Sequence, residues 1–206
     1  LLLLLLGFSV SYSLNIHWSP EPIVIKNGFD NNTVYNVCYG KDGFVWLSTD
    51  RGIARYDGFR FRDYPLVTKI DSLSLPLPQA TSTLQEVSGN LFYIQLYQGG
   101  IACFDREKEK YLPIIFNRPF NLRNIHSFRW CNGILYLATS QGLLKSQVVR
   151  MEEDNKDVLF CTLDAKPLVK GKTGGLCADG SNNLYFSVDR KKVMSYNVCL
   201  LYTSDA

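Results

Sequence analysis

Histidine and methionine are scarce in this chain, with two of each among 206 residues. His17 and His126 are far apart and have no Cys or carboxylate at ligand spacing, so neither a metal centre nor a histidine-based reaction is indicated. No C-x-x-C pair occurs either. With Cys199 set aside, Cys38, Cys103, Cys131, Cys161 and Cys177 are an odd, irregularly spaced set that reads as buried strand residues, not as a zinc site or disulfide framework. Charge of one sign is also missing: 22 Lys and Arg against 19 Asp and Glu leave +3, scattered along the chain, which excludes a nucleic-acid footprint. There is no G-x-S-x-G elbow, and Gly171-Lys172-Thr173 fails as a phosphate loop because Lys166 stands where the first glycine is required. With only 15 Gly and 8 Pro, collagen-like and low-complexity classes are excluded. No cofactor is therefore expected. What the sequence does have is 46% apolar residues with 12 Tyr and 12 Phe, a composition that suits pleated, half-buried sheet.

The ends read differently from the middle. Residues 1–10 are an apolar run with six leucines, too short to span a bilayer. Ser11-Tyr12-Ser13 then places small residues around a larger one, as at a secretory cleavage site. Residues 1–13 are thus expected to be a signal peptide lacking its Met and basic start, which makes the protein exported. Residues 199–206 resemble the translation of a sequencing adapter and are expected to be an artefact, with the natural chain continuing past residue 198.

Internal repetition organises residues 14–198. Val34 to Tyr39 is strand-like, Asp42-Gly43 favours a tight turn, and a second apolar strand contains Trp46 and ends at Thr49. Asp50-Arg51-Gly52 turns the chain into a short strand ending at Tyr56, and Asp57-Gly58 turns it again into the alternating Phe59-Arg60-Phe61-Arg62. That is a four-stranded antiparallel meander. An aromatic strand centre recurs at Trp46, Tyr93, Tyr136 and Tyr185, at steps of 47, 43 and 49 residues. Turn residues recur with it, at Gly100, Gly133 and Gly142. These steps match the period of a β-propeller, so the chain is expected to be all-β, with blades near residues 27–75, 76–120, 121–170 and 171–198. An antiparallel sandwich with evenly spaced turns is the alternative.

The stretch Asn31-Asn32-Thr33-Val34-Tyr35, followed by Lys41-Asp42-Gly43-Phe44-Val45-Trp46-Leu47-Ser48-Thr49-Asp50-Arg51-Gly52-Ile53-Ala54-Arg55-Tyr56-Asp57-Gly58, resembles the two-component regulator propeller repeat. Ser48 stands where that repeat usually has Gly, and the second and fourth copies lack the threonine before the turn. The resemblance implies a seven-bladed sensor propeller, four blades of which lie in this chain. It further implies a periplasmic domain anchored through a later membrane helix, a homodimer, a cytoplasmic histidine kinase, and an oligosaccharide ligand. Enzymatic activity is not expected of this segment.

Asp42, Gly43, Trp46, Thr49, Gly52, Tyr56, Asp57, Gly58, Tyr93, Gly100, Gly133, Tyr136, Gly142 and Tyr185 are read as scaffold residues. The glycines allow positive φ, the aspartates accept from turn amides, Thr49 caps a strand end and Trp46 fills the wedge between blades. No catalytic or metal-binding residue emerges, and the ligand-binding residues are not legible. The Pro-containing connections 66–79 and 116–124 are the segments long enough to reach a ligand-binding rim. A secreted polysaccharide lyase or glycosidase, or a binding scaffold without signalling, are the alternative functions.

Overall fold

The computed structural model describes residues 29, 31, 33–68, 77–78, 81–87, 90–153, 156–179, 181–199 and 202–205. The leader expected at 1–13, His17 and most of the connection 66–79 lie outside the described residues.

The first sheet is an antiparallel meander of β1 (Val34–Tyr39), β2 (Val45–Thr49), β3 (Gly52–Tyr56) and β4 (Phe61–Pro65). Its turns follow from local chemistry. The Asp42 carboxylate accepts from the Phe44 amide at 3.2 Å while Gly43 sits at φ +83°. Asp57 accepts from the Phe59 and Arg60 amides at 2.8 and 2.7 Å beside Gly58 at φ +97°. At Gly52 (φ +139°) a Cβ would stand 2.5 Å from the Tyr64 carbonyl oxygen, so the β2–β3 turn admits only glycine there. A short ribbon of β5 (Val67–Thr68) and β6 (Leu77–Pro78) follows.

The second sheet repeats the meander in β7 (Thr81–Val87), β8 (Leu91–Leu96), β9 (Ile101–Asp105) and β10 (Lys110–Leu112). The third contains β11 (Ile114–Phe116), β12 (Ile125–Cys131), β13 (Ile134–Thr139), β14 (Gly142–Glu153), β15 (Lys156–Leu163) and β16 (Val169–Lys170). Four of these form the meander, β11 lies parallel along the outer β15, and β16 pairs the start of β14. Asn132 (φ +49°) and Gly133 (φ +78°) close the β12–β13 hairpin as a left-handed pair. The fourth sheet is β17 (Thr173–Ala178), β18 (Asn183–Val188), β19 (Lys192–Asn197) and β20 (Tyr202–Asp205). Its outer strand is drawn from the segment read from sequence as an adapter.

The first strands β1, β7, β12 and β17 lie side by side in series. The amide of Gln85 acts as an extra rung between two of them, donating to the Trp130 carbonyl at 2.9 Å and accepting from the Trp130 amide at 3.0 Å. Between β12 and β17, the Leu176 amide donates to Ser127 Oγ at 3.3 Å.

Three apolar layers separate the four sheets, and each is entered by the aromatic of the preceding sheet. Trp46 packs on Phe92 and Phe104 of the second sheet, with ring centroids 5.0 and 5.8 Å apart. Tyr93 packs on Phe128 and Trp130 of the third at 6.1 and 5.6 Å. Tyr136 packs towards Tyr196 of the fourth at 6.2 Å. All three are essentially buried, whereas Tyr185 is half-buried and donates its hydroxyl to Asp179 Oδ2 at 3.3 Å. Burying an aromatic of this size contributes on the order of 2–3 kcal/mol, which makes these layers the main adhesion between sheets.

Candidate functional site

Strand register gathers the functional candidates at one end of the sheet stack. Thr49 lies opposite Val34, Leu96 opposite Thr81, Thr139 opposite Ile125 and Val188 opposite Thr173. The turn between second and third strands of every sheet therefore shares an end with the segment that enters its first strand. Four turns, around residues 50–51, 97–99, 140–141 and 189–191, form this rim.

A hydroxyl or amide ties each of the first three turns. Thr49 Oγ1 donates to the Gly52 carbonyl at 3.1 Å and accepts from the Arg51 amide at 3.2 Å. Thr139 does the same for Gly142 at 2.8 Å and Gln141 at 3.1 Å. In the second sheet, which has no such threonine, Gln95 Nε2 donates to the Gly100 carbonyl at 2.8 Å and reaches Ile125 of the next sheet at 3.4 Å. Sequence reading missed Gln95; a buried polar residue one place before the strand end was the available signal. Ser48 gains a use too, its hydroxyl donating to the Ser82 carbonyl of the neighbouring first strand at 2.8 Å. The fourth turn holds Asp189 (φ +52°) and Arg190 (φ +57°), two left-handed non-glycine residues where the other copies carry glycine.

Of the other scaffold residues, the Trp46 indole donates to Asp42 Oδ2 at 3.0 Å, and Tyr56 donates to the Gly58 carbonyl at 2.7 Å. Gly100 adopts φ +106° and Gly142 φ +137°. Arg106 lies over the Phe92 ring and pairs with Glu86 at 2.7 Å and Asp42 at 3.3 Å, linking the first two sheets. Arg150 pairs with buried Asp105 at 2.7 Å across the next junction. These ion pairs serve the scaffold.

The rim itself carries three features open to a ligand. Tyr35 and Tyr97, 41% and 66% exposed, bring their rings to 5.5 Å across the first two sheets. A cavity of about 210 Å³ beside the first turn is lined by Asn31, Thr49, Arg51, Ile53, Asp63 and Pro65, with Asn31 Nδ2 donating to Asp63 Oδ1 at 2.8 Å. A larger one, about 300 Å³, lies between the third and fourth sheets, walled by His126, Lys172, Thr173, Gly174, Gly175, Ser187 and Arg190. His126 shares a 2.9 Å hydrogen bond with Ser140, and burial, then Lys172 and Arg190, push its pKa below the ordinary histidine value. The connection 116–124 also reaches the rim: the 3-10 turn Leu122–Asn124, capped by Asn121, backs onto Gly99, and the Gly100 amide donates to the Ile125 carbonyl at 3.0 Å. Among the described residues no three His, Cys, Asp or Glu side chains converge to hold a metal ion, and no helix is long and apolar enough to cross a membrane.

Residues 28–51 match the family model described as two component regulator propeller, and this segment contains β1, β2 and the turn between them. No curated protein matches the chain. Among solved structures, it is similar to the extracellular domain of the hybrid two component system BT3049 from B. thetaiotaomicron, at TM-score 0.61 and 14% identity over 90% of this chain and 26% of that one. It is also similar to the extracellular domain of the one component system BT4673 from the same organism, at TM-score 0.56 and 17% identity over 85% of this chain and 24% of that one. A chain of the Mitotic Checkpoint Complex aligns at TM-score 0.51 and 10% identity, over 96% of this chain and 61% of that one. The chain thus spans about a quarter of the length of the two bacterial domains, and the likeness is one of fold. It is an all-β array of propeller-like blades, the first of which matches the two component regulator propeller model over residues 28–51.

Proposed function

We propose that this chain is part of the ligand-sensing propeller of an exported two-component receptor. It faces the periplasm, and the full protein is held in the inner membrane by a later helix. Its ligand is an oligosaccharide, and its partners are a second copy of itself and its own cytoplasmic histidine kinase. Ligand binding biases a dimer between two arrangements, and that bias sets kinase output and transcription. The observation that carries the reading is the family repeat at residues 28–51, falling on the blade whose turn end presents the Tyr35–Tyr97 pair. Open, paired aromatic faces are what a sugar ring stacks on, and rim loops fixed by a rigid sheet are where propellers place such contacts.

The test is calorimetric titration of the protein with a panel of defined oligosaccharides, alongside a Tyr35→Ala, Tyr97→Ala double variant. Both side chains are exposed, so the variant keeps its fold. Saturable binding by one class, weakened about tenfold or more in the double variant, supports the reading. Binding that ignores the two tyrosines, or no binding across the panel, sinks it.

A further inference from the structure

The 300 Å³ cavity between the third and fourth sheets has a chemistry of its own. Its wall gathers Lys172 from the segment entering β17, Arg190 from the β18–β19 turn and His126 from β12, together with the hydroxyls of Thr173 and Ser187 and the bare backbone of Gly174-Gly175. No carboxylate lines it. The nearest acid in sequence, Asp189, accepts from the Lys172 amide at 2.8 Å behind Gly171, which leaves the lysine side chain uncommitted. Among the described residues neither the Lys172 ammonium nor the Arg190 guanidinium is held in an ion pair, unlike Arg55, Arg62, Arg106 and Arg150, each of which is. Their charge is felt across the cavity, because both depress the pKa of His126. Arg190 is also held in a left-handed turn that most residues avoid.

We propose that this cavity is an oxyanion-binding site, taking a carboxylate, sulfate or phosphate group between Lys172 and Arg190. Arg190 supplies a planar fork of donors and Lys172 a mobile point charge, the combination that recognises such groups. Gly174 and Gly175 carry no side chains, so the anion can approach the backbone closely. The Ser187 hydroxyl donates to the Gly174 carbonyl at 3.0 Å and the Thr173 hydroxyl to the Thr139 carbonyl at 3.2 Å, so the two cationic side chains are the donors left to the anion. The proposal does not depend on the ligand of the tyrosine pair.

The experiment is titration of the protein with sodium sulfate, sodium phosphate and sodium glucuronate at fixed ionic strength, with methyl glucoside as the neutral control. Saturable binding of at least one oxyanion is expected, with none of methyl glucoside at this site. A Lys172→Ala, Arg190→Ala double variant should weaken it about tenfold or more, in line with loss of charge-assisted hydrogen bonds. Both side chains are exposed, and an unchanged melting curve confirms the fold. Arg190→Lys serves as a second variant, expected to retain part of the affinity by keeping the charge without the fork. Binding of sulfate or phosphate alone identifies a free inorganic ion as the ligand, and preference for glucuronate identifies an acid group carried on a sugar. The proposal is overturned if no oxyanion binds, or if the double variant binds as tightly as the parent.

Discussion

Replacing Trp46 by alanine tests whether the aromatic strand centres hold neighbouring sheets together or merely favour strand formation. Trp46 is fully buried, packs on Tyr64 within its own sheet and on Phe92 and Phe104 in the next, and donates its indole hydrogen to Asp42. Truncation leaves a cavity in the layer that also contains Ile53, Leu84 and Ile94. Large aromatic-to-alanine changes in such surroundings cost about 3–5 kcal/mol. For a chain of this length each kcal/mol lowers the melting temperature by about 2–4 °C, so the expected fall is roughly 6–20 °C. Tyr185→Ala provides the contrast. It occupies the matching strand position but is only half-buried, and its expected cost is below about 1 kcal/mol. Differential scanning calorimetry of both variants decides the matter. A soluble Trp46→Ala protein that melts with the parent, or two variants that fall equally, would refute the inter-sheet role.

Other perturbations separate steric from conformational demands. Gly142→Ala should cost more than about 2 kcal/mol, since its Cβ would meet the Val169 carbonyl oxygen at 2.1 Å, while Gly133→Ala, with nothing within 4 Å, should cost only the left-handed penalty of about 1 kcal/mol. Chemical denaturation reads both; equal losses would remove the steric argument. Gln95→Leu should cost about 0.5–1.5 kcal/mol, since the Gly100 carbonyl loses its side-chain donor but keeps the Leu96 amide at 3.1 Å, and a neutral result in the same assay would show that Gln95 does not stand in for threonine. In alkali, burial first and then the hydrogen bond to Glu109 push Tyr64 up to about 12, and burial raises Tyr93, Tyr111 and Tyr136 as well. A raised folded pKa means that the stability is present in full below pH 10, the ordinary phenol value, and is lost as pH rises above it. Phenolate absorbance of these four should therefore appear together with loss of circular dichroism; their ionisation in an intact fold would contradict the burial.

The fold was legible because its turns are written in residues with few alternatives. Asp42-Gly43, Asp57-Gly58 and Asn132-Gly133 force hairpins wherever the surrounding strands lie, and the 43- to 49-residue spacing of Trp46, Tyr93, Tyr136 and Tyr185 counts the sheets. Less legible were the additions. β11 joins β15 in parallel and β16 joins the start of β14, because short connecting segments with free backbone groups find partners along nearby edges, which no local pattern announces. Gln95 escaped notice since its work depends on a carbonyl in the following sheet.

The cavity was beyond sequence reasoning for a different reason. His126, Lys172, Ser187 and Arg190 come from separate elements, and no spacing rule joins them. In the sequence His126 served only to exclude a metal centre and Lys172 only to exclude a phosphate loop; both readings describe the local chain and miss the neighbour. What unites them is the packing of β12 beside β17 of the next sheet, which sets the second residue of one first strand beside the lead-in to the next. A propeller repeats its scaffold residues once per blade, so periodicity exposes them, whereas a site at a blade junction is assembled from residues that need not repeat. The absence of a turn glycine in the fourth copy is the one local sign: a repeat that gives up its glycine and holds Arg190 in a left-handed conformation has set its turn to a use other than the scaffold.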